Sequence, residues 1–148
     1  MRNTLSISKL APIAGRAGVS LGLPAAIMAL ALTTSASAQD SAAGRWAVAG
    51  NVDGKNFTLD CRFQQSGAAL SGACIDGPTG DSKIKGGRSH ALTKGHATGT
   101  SVSWTYVSSY MILSFNVDYA GVRNGDHMSG TIAAAGKKGA FTARRVSA

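Results

Sequence analysis

Apolar and polar residues alternate along most of the chain after residue 43, the period of a half-buried strand and not the 3.6-residue period of a helix. The alternation is cleanest in two places. Residues 100–107 set Val102, Trp104 and Tyr106 against Ser101, Ser103 and Thr105, and residues 111–119 set Met111, Leu113, Phe115, Val117 and Tyr119 against Ser114, Asn116 and Asp118. Residues 56–65 and 69–75 place Leu59, Cys61 and Phe63 on one face with Leu70, Gly72 and Cys74. Further strands are predicted over 44–51, 128–134 and 140–146, with a weaker one over 82–90. Turn chemistry separates them: Asp53-Gly54, Gly77-Pro78 within a loop over 76–81, a Gly- and Thr-rich loop over 91–99, Asn124-Gly125, and a turn over 136–139. Tyr110 falls in the turn that joins the two cleanest strands.

Eight short strands in sequence order, with no helical segment between them, give an all-β, antiparallel chain. An open sheet of this kind leaves two edges exposed, and closure removes them. The predicted fold is therefore an eight-stranded antiparallel up-and-down β-barrel, with a two-sheet sandwich as the alternative. Gly72 opposite Phe63 is expected to make room for the ring, and the segments Leu70-Ser-Gly72 and Met128-Ser-Gly130 echo one another as strand kinks.

The two cysteines fit this pattern. If Gly67 and Ala68 are the loop residues of a type II′ hairpin, Ser66 faces Ala69, Phe63 faces Gly72 and Cys61 faces Cys74. Cys61 and Cys74 then form a non-hydrogen-bonded pair, with Cα atoms ~4.5 Å apart, close enough for a Cys61–Cys74 disulfide.

A disulfide calls for an oxidising compartment, and the N-terminus agrees. Residues 1–38 carry Arg2, Lys9 and Arg16 without an acid, then an apolar run over 19–32, then Ala36-Ser-Ala38. That is the layout of a cleaved signal peptide, and the run is too short for a membrane span. The expected product is one β-barrel domain over residues 39–148, exported to the periplasm or secreted, with residues 39–43 as a short flexible lead-in. The net charge of +8 falls to +5 when the three basic residues of the signal are removed. Glu is absent and all seven acids are Asp, in keeping with a turn-rich β protein. Lys137-Lys138 and Arg144-Arg145 are the densest basic spots, but no aromatic stripe accompanies them, so nucleic acid is not an expected partner.

Gly44-Arg-Trp46 at the head of the first strand and Gly139 to Arg145 at the end of the last resemble the calycin-type barrels: lipocalins, avidins and the small periplasmic inhibitors of bacterial metalloproteases. The resemblance implies that Trp46 lies across a closed barrel end with a late basic residue on its face. Arg145 is preferred to Arg144 because it shares a face with Phe141 and Ala143. Segments 70–74 and 102–106 are similar to avidin strands, yet Cys74 stands where those proteins carry a tyrosine, so biotin is not the expected ligand.

Candidate chemistry is sparse. His90, His96 and His127 lack the spacing of a metal site and are expected at the surface. No serine sits in a nucleophile elbow, Asp126 and His127 point to opposite strand faces, and nothing pairs Asp60, Asp76 or Asp118. No metal, cofactor or catalysis is expected. Trp104, Tyr106, Phe115 and Tyr119 are the sharper signal, since small ligand-holding barrels line their mouths with aromatics. An interior of this size suits side chains alone or one small ligand. The expected function is binding of a small apolar or amphipathic ligand. The alternative is a protein-binding or inhibitor barrel that presents its loops or residues 39–43 to another exported protein.

Overall fold

A computed structural model describes residues 41–78 and 86–147. Eight antiparallel strands run β1 Gly44–Val52, β2 Lys55–Ser66, β3 Ala69–Asp76, β4 Ser89–Thr98, β5 Ser101–Tyr110, β6 Leu113–Asn124, β7 His127–Ala134 and β8 Lys137–Ser147. Each pairs with its neighbour in sequence and β8 returns to β1, so the sheet closes as an up-and-down barrel. The predicted signal segment lies outside the described residues.

The stapled hairpin has the register its turn requires. Ser66 faces Ala69, Phe63 faces Gly72 and Cys61 faces Cys74. Gly67 takes φ 59° while Ala68 stays in the ordinary region, as a type II′ turn demands. Cys61 and Cys74 are disulfide-bonded with Cα atoms 4.0 Å apart, and both are fully buried. Gly72 serves a different purpose from the one expected. A Cβ there would lie 1.9 Å from the Arg62 carbonyl oxygen, and φ is 138°, so it is the close approach of the β2 backbone, and not the Phe63 ring, that demands glycine.

Two stretches depart from the sequence pattern. β4 occupies Ser89–Thr98, most of which was expected to be loop, whereas residues 82–85 of the strand expected there lie outside the described residues. The register of β4 against β5 shifts between Leu92 and Lys94. His90 and Leu92 turn inward before that bulge, Gly95 and Ala97 after it, so the strand changes parity and its alternation disappears from the sequence. The second departure is the β5–β6 turn. Tyr110 ends β5 instead of lying in the turn, Met111 and Ile112 form the turn, and Met111 and Leu113 are exposed instead of inward. The inward alternation of β6 begins at Phe115, because the barrel interior ends there.

The turns sort to two ends. One end holds the β2–β3, β4–β5 and β6–β7 turns together with residues 41–43. The other holds the β1–β2, β5–β6 and β7–β8 turns and the β3–β4 connection.

Candidate functional site

The first end is sealed. Trp46 is completely buried, its indole Nε1–H donates to the Ala42 carbonyl at 2.9 Å, and the Arg145 guanidinium carbon sits 4.4 Å from the Trp46 ring centroid. Arg144, its neighbour, faces solvent. Arg145 Nε–H donates to Asp126 Oδ1 at 2.8 Å, Nη2 donates to the Ser41 carbonyl at 2.6 Å, and Nη1 donates to the Ala43 carbonyl. Gln65 Oε1 accepts from the Ala42 amide at 2.7 Å and from the Ser41 hydroxyl at 3.2 Å. Residues 41–43, expected as a flexible lead-in, are therefore tied to the barrel end, and Ala42 is buried.

Above this plug the interior fills with stacked rings. Trp104 lies parallel to Tyr119 with centroids 4.6 Å apart and meets Phe141 edge-on at 5.3 Å and Phe63 at 5.1 Å. Trp104 Nε1 is buried without a hydrogen-bond partner. Tyr119 closes the top of this layer, and its hydroxyl is 3.1 Å from that of Tyr106. Burial disfavours both phenolates, which pushes Tyr106 up to about 12 and Tyr119 higher still. The pair is a neutral hydrogen-bonded couple.

Beyond Tyr119 the barrel is hollow. A cavity of about 450 Å³ opens at the second end, walled by Phe57, Leu59, Phe115, Val117 and Ile132 and floored by Tyr106 and Tyr119. Its polar lining comes from Asp76, Asn56, Thr58 and Ser108, together with Asp53, Lys55 and Lys137. Tyr106 and Tyr119 thus share the floor and Phe115 stands partly buried at the mouth, while Trp104 lies one layer down and supports Tyr119. The interior is filled below and open above.

His90 is buried, against the expectation that it lies at the surface. Its ring stacks on Tyr106 at 4.7 Å, Nδ1–H donates to the Val107 carbonyl at 3.1 Å, and Nε2 is 3.0 Å from Asp76 Oδ2. A carbonyl only accepts, so Nδ1 carries a proton in this contact. The pair orients Asp76 at the cavity wall. His96 and His127 are exposed, and no group of three or more potential metal-binding side chains occurs among the described residues. Sequence inspection missed Phe57 and Asp76 as cavity residues. Phe57 was open to detection because it continues the inward series of Leu59, Cys61 and Phe63, whereas Asp76 ends a strand and carries no such mark.

No family model matches the chain, and no curated protein matches it.

Proposed function

We propose that this protein is an exported, non-catalytic barrel of calycin type that holds a small apolar or amphipathic ligand in the cavity at its open end. The cavity carries the proposal. At about 450 Å³ it falls within the ~300–1,000 Å³ of small-molecule sites, and the surface that it presents is mostly apolar. Tyr106, Phe115 and Tyr119 contact the ligand, and Trp104 backs Tyr119. Lys55, Lys137 and Asp76 suit a polar head group near the rim. The calycin assignment draws support from Trp46 under Arg145 at the sealed end and from the closed eight-strand topology. Export is supported by the buried disulfide, which persists only outside a reducing cytosol.

An inhibitor that projects its N-terminal segment has less support, because residues 41–43 are bonded to Arg145 and Gln65 of the barrel itself.

A naphthylamine dye tests the proposal. Saturable one-to-one enhancement of its fluorescence is expected, and Ala134→Trp, which places a large ring in the partly buried mouth, should abolish it without unfolding the barrel. Native mass spectrometry of freshly purified protein should also reveal a small adduct. Dye binding that is unsaturable, or indifferent to Ala134→Trp, refutes the cavity as the site.

A further inference from the structure

The β5–β6 hairpin does not stop at the barrel rim. Its last rung on one side is Val117 opposite Ala134 and on the other Tyr106 opposite Leu92. From Val107 to Asn116 the two strands pair only with each other. Leu113 lies four residues beyond Val117, an overhang of ~13 Å at about 3.3 Å per residue. Arg88 braces it one rung below its last pair, Tyr110 and Leu113, with Nη1 donating to the Ser109 carbonyl at 3.0 Å.

The tip is apolar and solvent-facing. Tyr110, Met111, Ile112 and Leu113 are 67%, 86%, 96% and 69% exposed. The barrel's other two-residue turns each place a glycine at positive φ: Gly54, Gly67, Gly99, Gly125 and Gly136. Two of those turns also hold a non-glycine at positive φ, Asp53 and Ala135, each followed by its glycine, whereas this turn holds Met111 at φ 55° and follows it with Ile112. A residue that disfavours its backbone conformation and buries nothing in the fold contributes elsewhere.

We propose that this hairpin tip docks the open end of the barrel onto an anionic lipid surface. Around the same end Lys55, Arg88, Lys137 and Lys138 are exposed, against Asp53, which lies 3.5 Å from Lys137, and Asp118, level with Lys138, as the exposed acids there among the described residues. An interfacial anchor needs a few apolar side chains ~5–10 Å into the headgroup–acyl boundary, with cations at headgroup level. The overhang is long enough to reach that depth while the basic rim stays outside. Tyr110 suits the interface itself, with an apolar ring and a polar tip. A second copy of the chain is the weaker occupant. Four side chains on a convex tip fall short of the ~800 Å² per partner that a stable interface buries. The outer wall, with Thr58, Asp60, Arg62 and Gln64 along β2, is not a lipid-facing band, so contact is confined to the tip. Tyr110, Lys55 and Lys137 also line the cavity, so the docked surface borders the ligand site, whereas Met111 and Ile112 lie outside it.

Vesicle flotation with the oxidised protein tests it. Binding is expected to vesicles of phosphatidylethanolamine with phosphatidylglycerol, and only weakly to phosphatidylcholine. Met111→Gly with Ile112→Ser should weaken binding about tenfold or more, since it removes both protruding apolar groups. Glycine fits φ 55°, so thermal melting of this variant should be unchanged or raised. Lys137→Gln with Lys138→Gln, or added salt, should also weaken binding. The proposal is overturned by wild-type protein that ignores the anionic vesicles, by a tip variant that binds as well as wild type, or by equal binding to both lipid compositions. Sedimentation that shows a dimer dissolved by the tip variant overturns it in favour of self-association.

Discussion

Replacing Arg145 with alanine should reach further than the loss of one salt bridge. The side chain is only 8% exposed and contacts four groups: the Trp46 ring, Asp126, and the carbonyls of Ser41 and Ala43. Asp126 is 55% exposed, so that ion pair contributes at most about 1 kcal/mol. The cation over a buried indole contributes about 1–2 kcal/mol. The two charge-assisted bonds to carbonyls add about 1–2 kcal/mol together, less than the ~1.5–3 kcal/mol each usual for such bonds, because residues 41–43 can undock and let water replace the guanidinium. The total is about 3 kcal/mol. Undocking also strips Trp46 Nε1 of its acceptor, Ala42, so the loss spreads from the lead-in to the core. Urea unfolding followed by tryptophan fluorescence should show it as a midpoint lowered by about 2 M, for a slope of roughly 1.5 kcal/mol/M. Hydrogen exchange should show lost protection in residues 41–46. Arg145→Lys should recover little, since an ammonium lacks the planar fork that bridges these acceptors while stacking on a ring. A loss below about 1 kcal/mol with exchange at Trp46 unchanged would falsify this account of the sealed end.

Three further outcomes follow from the same structure. Cys61→Ala with Cys74→Ala should lower stability by about 3 kcal/mol from chain entropy for a separation of 13 residues, read from urea curves, and an unchanged midpoint would contradict it. The buried Tyr106 phenol, raised from 10.0 to about 12, gives stability that is full below pH ~10 and lost as pH rises towards ~12. That share is about 3 kcal/mol, and Tyr106→Phe should flatten this part of the pH profile; an identical slope in the variant would refute the assignment. Tyr119→Phe should cost about 1 kcal/mol, because the Tyr106 hydroxyl loses its 3.1 Å partner, and a variant as stable as wild type would show the bond to be idle.

Much of the barrel is written locally. Alternation over residues 56–65, 69–75 and 100–107 names the inward residues, and Gly67 at positive φ sets the register that brings Cys61 against Cys74. These features depend on neighbours within one hairpin, where a turn type and a period of two leave a single arrangement. The local code fails at particular points. In β4 a bulge near Thr93 swaps the faces, so a strand reads as a loop. At Met111 and Leu113 the alternation runs on after the barrel interior has ended, so exposed residues read as core.

The sequence by itself determined an all-β chain, most of its turns, its hairpin staple and the ring types of its interior. Tertiary structure alone decided where those rings lie along the barrel axis. Trp104 packs below Tyr119 and Phe115 stands above it, which leaves one half filled and the other hollow. That placement depends on the stagger between strands accumulated around the closed sheet, which no single hairpin contains. The His90–Asp76 contact and the overhang of residues 107–116 have the same origin. Each depends on where neighbouring strands stop, and those limits are set by closure of the whole barrel.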